Sequence, residues 1–178
     1  NALWHCLDDA ARDRTRVDLP AVTDGDCQEL LQRLDARGVA VAAWDITSDI
    51  GVPAFRCELV ERSPAADQPF LPGVGAGCHL SAAVALSRAV TEAAQTRLTL
   101  VSGARDDLRS DDYDAARDPA ALARMQQRMN APGPLRAFRD VVDRARDTLE
   151  EDLLTVLTSL ARAGIREVAV VDLTRPDV

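Results

Sequence analysis

Apolar residues recur along this chain in two rhythms, which divide it into helices and short strands. Leu3, Leu7, Ala10 and Ala11 fall at helical spacing and predict a helix over residues 2–14. A second helix is predicted from Asp24, whose carboxylate suits an N-cap. Leu30, Leu31 and Leu34 form its inner face and Gly38 its stop. Val39–Ile46 is then an apolar run short enough for a buried strand. Residues 52–60 alternate through Ala54–Leu59 and predict a second strand, with an antiparallel neighbour.

The stretch 62–78 is punctuated by Pro64, Pro69, Pro72, Gly73, Gly75 and Gly77, and predicts a loop. Ser81 is a candidate N-cap for a helix running to about Leu100, with Val84, Leu86, Ala89, Val90 and Ala93 as its apolar surface. Residues 103–118 predict a charged loop, followed by a helix over Pro119–Asn130. After a break at Pro132-Gly133-Pro134 comes a helix over Asp147–Ala163, which Gly164 ends. Glu167–Asp172 predicts a buried strand. No long period repeats, so a solenoid is excluded. The fold class is α/β (α+β mixed), with helices packed on a mixed sheet in a single, partial domain. Within it, 1–62 forms a helix-helix-strand-strand lobe, 63–80 a Gly/Pro-rich loop, and 81–178 a helical segment ending in a strand.

Length and composition narrow the function classes. The 178 residues suffice for one domain, and with aromatics at only 3% its core rests on Ala, Val and Leu. The net charge of −8 disfavours a nucleic-acid partner. Every basic residue is an arginine, which removes lysine-dependent chemistry. No apolar run is long enough for a membrane span, and no signal peptide opens the chain. Asn1 is not an initiator methionine, so a piece of a longer protein is expected. Cys6, Cys27, Cys57 and Cys78 lack zinc spacing, and His5 and His79 do not complete it. They are read as reduced, mostly buried thiols of a cytoplasmic protein.

The candidate chemistry lies between Gly73 and Leu108. Gly73-Val-Gly-Ala-Gly77 has the composition of a phosphate cradle but does not directly follow a strand, so a flexible connection is favoured on spacing. Arg88, Glu92 and Gln95 sit at i, i+4 and i+7 and share one helix face. An exposed ion pair is the plain explanation. Thr91 and Gln95 lengthen the polar row, however, and apolar residues border it, which favours a site. There a carboxylate can ligate Mg²⁺ while an arginine neutralises phosphate. The Arg105-Asp106-Asp107 turn suits a phosphate clamp or a cap equally. Asp8, Asp9, Arg12 and Arg14 form a further charged group, most simply a solvated helix end. Trp4 and Trp44 are read as core anchors.

Three segments carry a resemblance: Gly77-Cys-His-Leu80, Ala85-Leu-Ser-Arg-Ala-Val-Thr-Glu-Ala-Ala-Gln-Thr-Arg97 and Gly103-Ala-Arg-Asp-Asp107. Together they resemble the YcaO family, ATP-dependent enzymes that modify peptide backbone amides, and within it the subgroup encoded beside a TfuA-type partner. Val170–Pro176 fits the same subgroup. Asn1–Asp9 is similar to the start of the family helix E-A-x-x-H-x-L-x-E-x-x-E-R-D, with Asn1 and Asp9 in place of glutamates and Arg12-Asp13-Arg14 in place of E-R-D.

The resemblance implies a YcaO-like fold and the cofactors ATP and Mg²⁺. Glu92, and more weakly Asp9, would go to magnesium; Arg88 and Arg14 would go to phosphate; Gln95 would orient the nucleotide. It implies that a nucleophile adds to a peptide carbonyl, ATP phosphorylates the amide oxygen, and phosphate then leaves to give an azoline or a thioamide. The implied partners are a peptide or protein substrate and a TfuA-like protein; a homodimer is a further expectation. The family's upstream S-x-x-x-E-x-x-E motif, which supplies further magnesium ligands, lies outside these residues, so this stretch alone is not expected to turn over ATP. The competing expectation is a non-catalytic scaffold that binds a peptide or partner.

Overall fold

The computed structural model describes residues 4–5, 7–63, 71–103, 111, 114 and 118–174. Three strands, β1 (Val39–Asp45), β2 (Ala54–Glu61) and β3 (Gly73–Cys78), form one sheet in the order β1-β2-β3. Both pairings are antiparallel, where a mixed sheet was expected. Among the described residues the α-helices are α1 (Asp9–Arg14), α2 (Gly25–Asp35), α3 (Ala82–Ser102), α4 (Pro119–Met129) and α5 (Leu149–Arg162). None of the helices among the described residues is long and apolar enough to cross a membrane.

Local chemistry sets most of the helix boundaries. Asp24 accepts from the Cys27 amide at 2.9 Å and starts α2. Asp118 does the same for α4 through Ala120 and Ala121, and Thr148 for α5 through Glu151. Gly103 and Gly164 adopt positive φ of 60° and 88° where α3 and α5 stop. The start of α3 differs from expectation. Ser81 stands at the N-cap but makes no side-chain cap bond. Asp143, from a distant loop, accepts from the Ala82 amide at 3.1 Å instead. At the other end Arg97 pairs with Glu61 on β2.

The sheet is covered on both faces. Ala43, Phe55, Cys57 and Leu59 point to one face, against Leu86, Ala89, Val90 and Ala93 of α3 and Cys27 of α2. The other face carries Ala42, Trp44 and Val60, which meet Trp4 and the α4 residues Met125 and Met129. Trp4 and Trp44 pack edge-on at 5.2 Å, as core anchors should.

Two strand assignments change. Gly73–Cys78 is not a loop but strand β3, lying directly under α3. A Cβ on Gly73, Gly75 or Gly77 would fall well inside 3.0 Å of the backbone of Ala93, Ala89 or Ala85. Glycine in a strand weakens it locally but lets another backbone come close. Alanines at 85, 89 and 93, one helical turn apart, complete that approach. Proline and glycine together suggest a loop on composition; here the alternate glycines form a packing face.

The second change is Glu167–Asp172, expected as a buried strand. It has no regular structure, and Val170 is 88% and Val171 74% exposed. A strand needs a neighbour for its backbone groups, and no described strand pairs with this segment.

The glycine face makes a direct prediction. Gly75→Ala should lower stability by about 3 kcal/mol or more, because backbone rather than a movable side chain opposes the new methyl. Gly133→Ala, with nothing within 4 Å, should change it by less than about 0.5 kcal/mol. Urea denaturation of both variants separates the two outcomes. Equal stability would show that α3 does not rest on this strand.

Candidate functional site

The close approach of α3 to β3 fixes what the exposed face of the helix can reach. Arg88, Thr91, Glu92 and Gln95 line a cleft of about 460 Å³, and Ala76, Gly77 and Cys78 of β3 form its other wall. Arg88 and Glu92 make no ion pair with each other, so the plain surface-pair explanation does not hold. Arg88 Nη1 donates to the Cys78 carbonyl at 3.3 Å. Glu92 Oε2 accepts from the Ala76 amide at 3.3 Å. Each charge is tied to the strand, and both remain exposed to solvent. Thr91 Oγ1 turns back to the Ser87 and Arg88 carbonyls, so its hydroxyl belongs to the helix. Gln95 extends the polar wall by one turn.

This donor set suits a metal-bound phosphate better than a resident metal. Among the described residues no group of three His, Cys, Asp or Glu side chains gathers anywhere. Among the described residues Glu92 is the single carboxylate in the cleft wall. Mg²⁺ is held by one or two carboxylates with phosphate oxygens completing its shell, and Glu92 beside Arg88 fits that pattern.

The other expected residues lie elsewhere. Arg14 is exposed at the end of α1 and is not in the cleft wall. The α1 residue Arg12 donates to the Trp4 carbonyl at 3.1 Å, which places α1 with the second face of the sheet, away from α3. The side chain of Asp9 and the whole Arg105-Asp106-Asp107 turn lie outside the described residues.

On that second face is a charged group that the sequence reading passed over. Glu58, fully buried, accepts from Arg56 Nη2 at 3.1 Å and from Arg128 Nη2 at 3.1 and 3.2 Å. The Arg56 guanidinium lies 4.7 Å from the Trp4 ring centroid. Burial pushes its pKa below the ordinary arginine value, and Glu58 works against that shift. The available signal was two ionisable residues at i and i+2 of an apolar strand, which share a face by the strand period.

The thiols divide by burial. Cys27 is pushed up to about 12, chiefly by desolvation and then by Asp24. Burial also pushes the Cys57 thiol far up. Cys78, exposed at the cleft, is raised by partial desolvation while Arg88 pulls it down.

Across residues 2–178 the sequence matches the family described as YcaO cyclodehydratase, ATP- and Mg²⁺-binding. The chain belongs to the YcaO family. It is similar to an uncharacterised protein in the tfuA 3′ region of Rhizobium leguminosarum bv. trifolii, at 30% identity over 165 residues, covering 91% of this chain and 39% of that protein. A protein of Methanothermobacter thermautotrophicus is 28% identical over 176 residues, covering 97% of this chain and 45% of its own length. This YcaO chain therefore spans less than half the length of the curated relatives it matches. In structure it resembles a heterocyclase solved in complex with substrate and cofactor, with a TM-score of 0.69 and 26% identity over 92% of this chain and 21% of that one.

Two outcomes follow from the buried charges and thiols. Glu58→Gln should cost about 3 kcal/mol, because two guanidiniums would then face a neutral amide, and chemical denaturation reads that loss. Cys27 regains an ordinary thiol pKa near 9 on unfolding. Its contribution to stability is complete below that pH and falls as pH rises towards the folded value of about 12. Native-state alkylation at pH 8 should accordingly modify Cys78 well before Cys27 or Cys57. Early loss of either buried thiol would contradict the packing around α3.

Proposed function

We propose that the Arg88–Glu92–Gln95 cleft is the part of an ATP site that this segment contributes to a peptide-modifying, cyclodehydratase-type YcaO enzyme. The observation that carries it is the separation of the two charges. A guanidinium and a carboxylate one helical turn apart are held by two different strand backbone groups, so neither neutralises the other. A ligand that is anionic and carries a cation, such as magnesium-bound phosphate, satisfies both. Family membership over the whole chain supports the same choice.

In this reading Arg88 binds a phosphate oxygen, Glu92 takes one position on Mg²⁺, and Gln95 orients the nucleotide. Magnesium supplies charge neutralisation at the phosphates when bound. Arg14 carries no part of the proposal, because it does not line the cleft, and the expected Asp9 contact lies outside the described residues. The chemistry is activation of a backbone amide. A nucleophile adds to the carbonyl, the oxygen receives the terminal phosphoryl group of ATP with release of ADP, and it departs as phosphate. Similarity to the protein of the tfuA 3′ region supports thioamide rather than azoline formation, and a TfuA-like partner. The substrate is a peptide or protein.

The test is calorimetric titration of Mg-ATP into the full-length protein, with Arg88→Ala and Glu92→Gln alongside and circular dichroism as a check on folding. Micromolar binding is expected, weakened about tenfold or more in each folded variant, which is about 1.4 kcal/mol. Retained affinity in both variants, or no binding by the parent, would remove this cleft from the nucleotide site.

A further inference from the structure

The cleft does not end at Cys78. Its strand wall, Ala76–Cys78, is also the wall of a second and larger groove of about 710 Å³ on the side facing α5. The remaining lining is mostly apolar: Ile46, Ile50, Val52 and Leu80 from around the sheet, Val156 and Leu160 from α5. Three of its polar members each accept one backbone amide. Ser48 Oγ accepts from the Ile50 amide at 3.3 Å, Asp152 Oδ1 from the Arg146 amide at 2.7 Å, and His79 Nδ1 from the Ser81 amide at 3.0 Å. An Nδ1 that accepts leaves the ring proton of a neutral histidine on Nε2, where it can donate. A single strand segment thus lines two compartments, one charged and one apolar.

We infer that this groove takes a large apolar side chain of the peptide substrate, next to the backbone amide presented to the charged cleft. The inference rests on the cleft being the site of amide activation, and it adds a substrate class: peptides with a leucine-like residue beside the modified position. Three features select this occupant. The groove adjoins the cleft along Ala76–Cys78, so a chain whose amide lies in one brings its neighbouring residue within reach of the other. Its volume lies within the range of small-ligand sites, roughly 300–1,000 Å³. The aliphatic side chains that make up most of its lining favour an apolar side chain, which gains by leaving water.

The experiment uses the full-length protein with Mg-ATP present and two synthetic probes, acetyl-Gly-Leu-Gly-amide and acetyl-Gly-Asn-Gly-amide. Ligand-observed saturation-transfer NMR reads their binding. The leucine probe should bind about tenfold more tightly or better, the ratio expected for burying one aliphatic side chain. Val156→Trp fills the groove and should abolish that preference while leaving Mg-ATP affinity unchanged. Ile50→Gln keeps the size but changes the polarity, and should reduce the preference even where the tryptophan variant fails to fold. Equal binding of the two probes, or an intact leucine preference in both folded variants, overturns the inference. If Mg-ATP does not bind at all, the nucleotide reading falls and this one with it. If Mg-ATP binds and no side-chain preference exists, only this one falls.

Discussion

The contact on which the rest depends is backbone against backbone, where α3 lies on β3. Alternate glycines at 73, 75 and 77 face alanines at 85, 89 and 93, and no side chain larger than a methyl intervenes. Such a contact leaves the helix little freedom to roll, since any rotation brings a bulkier residue against the strand. The core on that side is continuous with it: Phe55, Cys57 and Leu59 of β2 meet Leu86 and Val90 of the same helix. Asp143 holds one end of α3 and Glu61 the other. The orientation of Arg88 and Glu92 is therefore set by groups that have no chemistry of their own.

The two faces of the sheet are solved differently. One is small, apolar and tightly closed. The other combines a tryptophan pair with the buried Arg56–Glu58–Arg128 group. A buried carboxylate between two guanidiniums is a poor source of net stability, because desolvation offsets most of the attraction. It is a good source of specificity, since a one-residue slip of β2 would carry both Arg56 and Glu58 to the opposite, apolar face. The apolar face supplies the compactness, and the charged face selects one arrangement of it.

Much of this was legible in the sequence because caps and periodicity are local. Asp24 and Gly164 bound helices by interactions that reach only a few residues, and the α3 strip of Arg88, Glu92 and Gln95 follows from helical spacing alone. The failures share one cause, which is a partner distant along the chain. Gly73–Cys78 is a strand only because α3 accepts its glycines. Glu167–Asp172 has the composition of a strand but lacks a neighbour to pair with. Ser81 stands in the capping position, yet Asp143 from beyond two further segments makes the bond. Glu58 is read as an ordinary strand residue until α4 brings Arg128 to it. Composition reports what a segment can do, and the tertiary partner decides whether it does.

The same dependence explains why the charged cleft stays open. Had Arg88 and Glu92 paired across one helical turn, as their spacing allows, each would have cancelled the other at the surface. Instead the strand edge offers both a carbonyl and an amide within reach, two residues apart at Cys78 and Ala76, and takes one charge on each. These are single bonds at 3.3 Å to neutral groups, weaker than those a phosphate or a metal ion would offer. The arrangement holds opposite charges apart without satisfying either fully. A ligand that brings its own cation and anion together can exchange both weak bonds for stronger ones without moving the helix. That exchange is the physical argument for the nucleotide site proposed on α3, and it requires the glycine contact beneath to stay closed while the side chains above it turn.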